Sequence, residues 1–375
     1  MQLADSAGRL CVVVLAAFLM STAAATAADL TLEPITVSTL DLQRVVSTTD
    51  GSIGLLRAGR IEFVTSDGTV ETPARASDGQ TLYLGDRGNW IGIATHRDGA
   101  ADFSPTASFE LRDRSGAVRW AIGETEDVTY VISEHGDVVG MSLNINIPER
   151  NRMHFYGQDG SLEADVAVPH LIGGQFDPDG KVLLAISIKE GLLAFDTAGN
   201  RLWRVELTRI YATTPGGERV ACFGDQVLRV AVKGEIMATT PLEGFLVRRI
   251  AIAPDGSRVA VASKHEIRVY DGTDLEFLQS IPTENETFSW TSVDVASDGG
   301  WLVAGVARSL GLEVPVNQRH PDGAVQAYDA SGNLVHQAHM EFPIWNIWTP
   351  TAILDRSGTE ATITTRRAVY RAVLP

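Results

Sequence analysis

The sequence predicts an all-β fold in which short four-stranded antiparallel sheets surround a common axis, a β-propeller. Three observations predict it. Apolar runs of strand length alternate with turns rich in Gly and Asp. Similar units recur along the chain at the ~40-residue spacing typical of propeller blades. Helical periodicity is almost absent after the first 28 residues.

The repeating unit is clearest in two stretches of the chain. They are LVRRIAIAPDGSRVAVASKHEIRVYDGTDLEFLQSI at 246–281 and HLIGGQFDPDGKVLLAISIKEGLLAFDTAGNRLWRVEL at 170–207. Each has an apolar strand, an Asp-Gly turn, an alternating strand, a polar turn, a strand ending in Tyr-Asp or Phe-Asp, a second turn and a final strand. Four consecutive strands joined by tight turns predict one blade.

The glycines of the first turn indicate the number of blades. They follow one another at 37 to 59 residues. They are Gly51, Gly88, Gly136, Gly180, Gly217, Gly256, Gly299 and Gly358. Eight blades are therefore predicted, with seven as the alternative if two weak units merge. The last unit has only three strands, so we expect residues 30–40, LTLEPITVSTL, to add its outer strand and close the ring without an open sheet edge.

Residues 1–28 have the three-part pattern of a secretory signal peptide. Arg9 precedes the apolar run at 10–20, and the small-residue stretch STAAATAA follows it. Cleavage after Ala27 or Ala28 would leave Asp29 near the new N-terminus. The apolar run is too short to cross ~30 Å of hydrocarbon, although an uncleaved anchor is the alternative. The prediction is a periplasmic or secreted protein with no membrane span after cleavage, in which residues 29–375 form a single propeller domain.

Composition narrows the class of partner. The chain has 375 residues, 44% of them hydrophobic, and a formal net charge of −16, which repels nucleic acid. Basic side chains are mostly Arg, a usage that indicates a GC-rich bacterial genome. After the leader only Cys222 remains, within RVACFG, so no internal disulfide is expected and this thiol is interpreted as a buried small hydrophobe. We expect a monomer.

Two blades resemble known repeats. APDGSRVAVASKHEIRVYD at 253–271 resembles a WD-repeat blade, and GKVLLAISIKEGLLAFDTAGNRLWRV at 180–205 resembles the repeat of pyrroloquinoline-quinone enzymes and their non-enzymatic relatives. The Gly-His and Trp-Asp pairs of the WD repeat are absent. The resemblance therefore implies the propeller superfamily and no particular family within it.

Three enlarged loops predict a binding face. Loops joining the second and third strands of a blade lie on the same face as the loops linking successive blades, and insertions on one face of a repeat protein often form its binding surface. The enlarged loops are at 95–107, 144–151 and 307–323. Aromatic residues occur in nearby inter-blade segments. The candidate ligand-binding residues are His96, Arg97, Asp98, Arg150, Arg152, Trp290, Arg319, His320, Asp322, Trp345 and Trp348.

A structural interpretation of these residues stands beside the functional one. Large aromatics usually pack, so Trp345 and Trp348 can equally wedge neighbouring blades, and charged loop residues can simply be solvated. Recognisable catalytic motifs are missing: there is no His-Glu-x-x-His, paired-Cys, phosphate-loop or Gly-x-Ser-x-Gly pattern. The single cysteine of the mature chain also excludes the adjacent-cysteine disulfide that the resemblance to quinone dehydrogenases would imply.

The sequence thus favours a non-catalytic exported binding or scaffolding propeller whose loop-rich face takes a protein, peptide or glycan. No cofactor is predicted. The alternative is a propeller hydrolase or lyase with carboxylate and His residues in the axial funnel, with or without a calcium ion. Clustering of His96 and His320 with at least two carboxylates would favour the enzyme.

Overall fold

The structure, a computed structural model, describes most of the chain from residue 28 onward. The described residues are 28–29, 31, 33–36, 42–48, 52–57, 59–65, 69–85, 87–97, 106–127, 129–144, 146–284, 286, 288–297, 300–308, 322–341, 351–354, 358–364 and 369–374. The side chains of several strand residues, among them Arg97 and Asp322, are outside this description.

The described residues form eight sheets, which confirms the predicted all-β propeller of eight blades. Blades 1 to 4 consist of β3 (Leu42–Ser47), β4 (Ile53–Arg57), β5 (Arg60–Val64) and β6 (Val70–Arg75); β7 (Gln80–Leu84), β8 (Trp90–Arg97), β9 (Thr106–Asp113) and β10 (Val118–Thr125); β11 (Thr129–Ile132), β12 (Val138–Ser142), β13 (Arg152–Tyr156) and β14 (Leu162–Ala167); β15 (Leu171–Phe176), β16 (Val182–Ser187), β17 (Gly191–Asp196) and β18 (Arg201–Val205). A 3₁₀-helix, Pro148–Arg150, lies between β12 and β13.

The second half of the ring repeats this order. Blades 5 to 8 consist of β19 (Ile210–Thr213), β20 (Arg219–Gly224), β21 (Val227–Val232) and β22 (Glu235–Pro241); β23 (Arg249–Ile252), β24 (Arg258–Ala262), β25 (Glu266–Asp271) and β26 (Phe277–Pro282); β27 (Phe288–Val295), β28 (Trp301–Arg308), β29 (Asp322–Asp329) and β30 (Leu334–Glu341); β31 (Thr351–Leu354), β32 (Glu360–Thr364), β33 (Val369–Val373) and β2 (Glu33–Thr36). The last of these, β2, pairs antiparallel with β33, with Glu33 opposite Arg371. A short strand, β1 (Ala28–Asp29), lies parallel to β30.

Position within the blade determines the hydrophobic pattern. The middle strands β16 and β17 are buried on both faces because a neighbouring blade covers each side, and they read as the continuous apolar runs VLLAIS and GLLAFD. The outer strand β18, RLWRV, is mostly exposed. The aromatic residue of the third strand is a core residue in each of six blades: Phe63, Phe109, Phe155, Phe195, Tyr270 and Tyr328 are all at most 6% exposed.

The first-turn glycines lie where two blades meet. In the six blades where this glycine is described, its φ is between 65° and 91°, a conformation that favours Gly. A Cβ on any of them would also come within 2.6 to 2.9 Å of an atom of the preceding blade; at Gly136 that atom belongs to the Trp90 ring. The repeat therefore needs glycine both for the turn and for close packing of neighbouring blades. Gly51 and Gly299 lie outside the described residues.

Strand direction defines two faces of the ring. The turns joining the first and second strands, and the third and fourth, form the lower face. The loops joining the second and third strands, and those linking successive blades, form the upper face. Cys222, on β20, is 0% exposed, which confirms its predicted burial. Among the described residues no helix has the length and apolar character to span a membrane.

Candidate functional site

The upper face exposes aliphatic side chains from the third blade to the sixth. Five large aliphatic residues in its loops and strand ends are between 41% and 72% exposed. They are Ile147, Ile172, Ile188, Leu207 and Leu246. The described turns of the lower face have no exposed side chain of this kind, and the exposed aliphatic residues at that end of the blades, Val70, Val118, Leu162 and Val373, lie on strands. Because exposed apolar surface of a soluble protein tends to mark an interaction site, the candidate site lies on the upper face.

A cavity of about 490 Å³, lined by one of these five residues, Ile172, opens at the upper ends of β15, β19 and β23, the inner strands of blades 4, 5 and 6. Ile172 reaches it because a β-bulge between Leu171 and Gly173 breaks the pairing with β16 and leaves this residue without a partner. The remaining apolar lining comes from Ile186, Ile210 and Ile250, with Tyr211 beside them. Each inner strand is the edge of its sheet, so the cavity is bounded by strand edges facing the axis.

Arginines are the only charged residues that line this cavity. They are Arg209, Arg248 and Arg249, and all three are exposed. Among the described residues Arg209 and Arg248 form no ion pair with a carboxylate. In a chain with 47 acidic residues against 31 Lys and Arg, a cavity lined by arginine without acid is a local reversal of the overall charge. We call these arginines with the lining isoleucines the Arg/Ile cavity.

A second polar cluster is buried where blades 2 and 3 meet. Asp127, in the loop that enters blade 3, is 0% exposed. Its carboxylate contacts His154 Nδ1 at 2.6 Å and accepts a hydrogen bond from the Tyr156 hydroxyl at 2.7 Å. Gly140, on the strand between them, leaves room for the carboxylate, because a Cβ there would lie 2.2 Å from Asp127 Oδ2. The acid is therefore held by its neighbours.

Each ring nitrogen of His154 faces a carboxylate. Its Nε2 lies 3.3 Å from Asp165 Oδ1, and Asp165 also binds Arg152. The hydrogen bond to Asp127 and the negative charges of Asp127 and Asp165 raise the pKa of His154, against the opposing effect of burial. Burial and the Asp127 charge also raise the pKa of Tyr156. This arrangement favours an imidazolium whose two N–H groups donate to carboxylates, so the cluster fastens the loop that enters blade 3 to the third and fourth strands of that blade and leaves no ring nitrogen free.

The joint between blades 7 and 8 has its own acidic group. Asp294 Oδ2, on β27, accepts a hydrogen bond from the backbone N–H of Leu354 on β31 at 2.9 Å. The neighbouring Ser292 Oγ accepts one from Ala352 N at 3.0 Å. Part of Asp294 reaches the surface, but the protein surrounds its carboxyl group, and this desolvation raises its pKa to about 6. These side chains replace strand pairing between two inner strands.

The four candidate residues from the sequence whose side chains are described lie in three different blades. His96 Nε2 is 3.0 Å from Thr81 Oγ1 within blade 2. Arg150 is exposed on the 3₁₀-helix of blade 3, and Arg152 pairs with Asp165 in the same blade. Trp290 is 4% exposed and packs edge-on against Tyr328 in the core between blades 6 and 7, so its ring is not on the rim. The hydrogen bonds and ion pairs of these four residues do not bring them together.

The other candidates cannot be placed in the same way. Arg97 and Asp322 lie at the ends of β8 and β29, where the strands are described but these side chains are not. Five candidates lie outside the described residues: Asp98, Arg319, His320, Trp345 and Trp348. The clustering of His96 with His320 that would favour an enzyme therefore involves a residue outside the described part of the chain.

Sequence reasoning missed the residues that the structure brings together. Arg248 and Arg249 stand in LVRRIAIAP, which was interpreted only as the start of a strand. The available signal was their position: a charged pair at the upper end of an inner strand must lie near the axis. Asp127 and His154 are 27 residues apart and gave no local signal. Among the described residues no group of three or more His, Cys, Asp and Glu side chains is arranged to hold a metal ion.

Comparison with known proteins supports the fold. No protein-family model matches the chain, and no curated protein resembles it in sequence. The C-terminal WD40 domain of Sif2 superposes with a TM-score of 0.61 at 10% identity, over 93% of this chain and 99% of that one. BamB from Moraxella catarrhalis superposes with a TM-score of 0.60 at 15% identity, over 92% of this chain and 98% of that one. Sqt1 from Saccharomyces cerevisiae superposes with a TM-score of 0.57 at 13% identity, over 92% of this chain and 98% of that one. At such identities the likeness shows the fold, a complete β-propeller.

Proposed function

We propose that this protein is a non-catalytic binding or scaffolding propeller whose partner docks on the upper face. One observation carries the proposal: large aliphatic side chains are exposed on the upper loops of blades 3 to 6, whereas the described turns of the lower face expose none. Exposed apolar surface rimmed by charged residues is typical of a protein-binding site. We propose that the protein works as a monomer in the periplasm or outside the cell, a location that the signal-peptide pattern of residues 1–28 supports.

The described polar clusters agree with binding more than with catalysis. At the joint between blades 2 and 3, the carboxylate of Asp127 and both ring nitrogens of His154 are engaged with protein groups. A catalytic base needs a free acceptor that faces its substrate. The Arg/Ile cavity has a different character, since its lining has no carboxylate or histidine, and Arg209 and Arg248 have no ion-pair partner among the described residues.

Site-specific photo-crosslinking in the host cells tests this proposal. A photoreactive amino acid would replace Leu246 or Ile188, each 72% exposed on the upper face, and in matched variants Leu162 or Val70, 56% and 55% exposed on outer strands. Discrete adducts are expected from the upper positions only. Adducts of equal yield from the outer-strand positions, or none from any position, would contradict the proposal.

The enlarged loop of blade 7 provides a second test. Deletion of residues 314–322, of which only Asp322 at the start of β29 belongs to a described strand, is expected to leave folding intact, because the sequence predicts a surface loop here, and to abolish the adducts formed at Leu246. Circular dichroism and the thermal midpoint check the fold, and adduct yield checks binding. Unchanged yield in a folded deletion variant would remove this loop from the binding site while leaving the rest of the upper face in place.

A further inference from the structure

We infer that the Arg/Ile cavity binds an acidic, aliphatic peptide segment of the partner. The inference rests on the proposed function and names the chemistry of the partner at one place on the upper face. It depends on three properties of the cavity: its positive charge, its branched aliphatic walls and the strand edges that bound it.

The charge selects a carboxylate. Guanidinium groups bind carboxylates through paired hydrogen bonds, and Arg209 and Arg248 have no such partner among the described residues. Both lie within the same lining as Arg249, whose Nη1 donates to the backbone oxygen of Arg248. Three positive charges at the mouth of a cavity in a protein of net charge −16 attract anionic groups there and repel them elsewhere.

The walls select aliphatic side chains. Ile172, 56% exposed, lies beside Ile186, Ile210 and Ile250. Gly173 opens further space, since a Cβ built there meets no atom within 4 Å and the residue has no positive φ. Leucine-sized side chains suit such a surface. The only aromatic ring in the lining is that of Tyr211, whose hydroxyl donates to the Leu184 carbonyl at 3.2 Å. Sugars are usually bound by stacked aromatics with amide and carboxylate partners, so the lining favours a peptide over a glycan.

The strand edges provide partners for a peptide backbone. β15, β19 and β23 are the innermost strands of blades 4, 5 and 6, and each is an edge of its sheet. Edge strands present N–H and C=O groups that an extended chain can bind. A peptide with alternating acidic and aliphatic residues would therefore meet arginines, isoleucines and main-chain groups together.

The test uses the full mature chain and fluorescein-labelled pentapeptides. The probe is Leu-Glu-Leu-Asp-Leu, and the comparison peptides are Leu-Lys-Leu-Lys-Leu and Ser-Glu-Ser-Asp-Ser. Fluorescence anisotropy is expected to show binding of the probe, weakened by salt, and at least about tenfold weaker binding of either comparison peptide. Equal binding of the basic peptide would overturn the inference.

Two variants locate the binding. Arg209→Glu/Arg248→Glu reverses both unpaired charges, and Gly173→Trp fills the cavity from a position where its Cβ meets open space. Each is expected to weaken binding of the probe by about tenfold or more. The control, Arg204→Glu/Lys233→Glu, makes the same change in net charge at exposed residues on an outer strand and a lower turn, and should bind as the wild type does.

The outcomes separate this inference from the proposed function. If the probe binds all variants equally, or fails to bind the wild type, the inference is overturned. Adducts at Leu246 and Ile188 in that case would still support an upper-face partner of different chemistry. Unfolding curves of the arginine variants should match the wild type within about 0.5 kcal/mol, as expected for exposed substitutions.

Discussion

The lower and upper faces of this ring use the same backbone repeat for different purposes. On the lower face the first-turn glycines recur with one conformation, and each lies against the preceding blade. On the upper face the loops differ in length, and isoleucine, leucine and arginine side chains are exposed from blade 3 to blade 6. The comparison indicates that the repeat is constrained where blades pack on one another and is free to vary where a partner can be met.

The joint between blades 2 and 3 is an exception to this difference between the faces, because its polar groups lie toward the upper face and yet are buried. His154→Ala should lower the free energy of unfolding by about 3 kcal/mol, since it leaves the fully buried Asp127 carboxylate without its cationic partner. Urea unfolding at pH 6 measures the change.

The double variant Asp127→Asn/His154→Ala is the control for this prediction. It should recover part of the lost stability, because a neutral amide is less costly to bury than an unpaired carboxylate. Peptide binding to the Arg/Ile cavity should be unaffected by either variant. A cost below about 0.5 kcal/mol for His154→Ala, the range of ordinary surface substitutions, would show that this cluster does not stabilise the fold.

Glycine-to-alanine substitutions sharpen the comparison of the two faces. Gly136→Ala, on the lower face, combines a φ of 91° with a Cβ placed 2.8 Å from the Trp90 ring, and should cost about 2 kcal/mol or more. Gly59 also has a positive φ, but a Cβ there would meet open space, so Gly59→Ala should lower the free energy of unfolding by only about 1 kcal/mol. Gly173→Ala, on the upper face, has neither constraint and should be neutral or slightly stabilising.

Thermal midpoints of the three alanine variants rank these costs. If Gly136→Ala and Gly59→Ala proved equally costly, the close approach of the blades would contribute nothing beyond turn conformation.

A smaller effect follows from the titration of His154. Its pKa is raised in the folded protein by the bond to Asp127 and by two carboxylate charges. The stabilisation that the protonated His154 gives the folded protein is therefore complete below the pKa of the unfolded state, about 6.5. It is lost as the pH rises through the higher pKa of His154 in the folded state. The stability difference between the wild type and His154→Asn should shrink as pH increases from 6 to 9 in urea unfolding experiments. A difference that grew with pH would contradict this assignment.

Local signals in the sequence were sufficient for most of the fold. Period-two alternation, Asp-Gly turns and the spacing from Gly88 to Gly256 are properties of single blades, so eight four-stranded units could be counted without knowing how they pack. The buried state of Cys222 followed in the same way from its apolar strand. For the candidate site, the sequence predicted only which face of the propeller binds a partner. Loop length indicated that face, but it did not indicate which side chains lie together there.

The sequence by itself determined the blade and its turns, because each depends on residues close together in the chain, whereas the choice of eight blades over seven was decided by the structure. Only the tertiary structure decided that Arg209 and Arg248 share one cavity with Ile172, and that Asp127, in the loop entering blade 3, meets His154 on β13. Residues one blade apart become neighbours only when the inner strands are arranged around the axis, and that arrangement results from the packing of whole blades against one another.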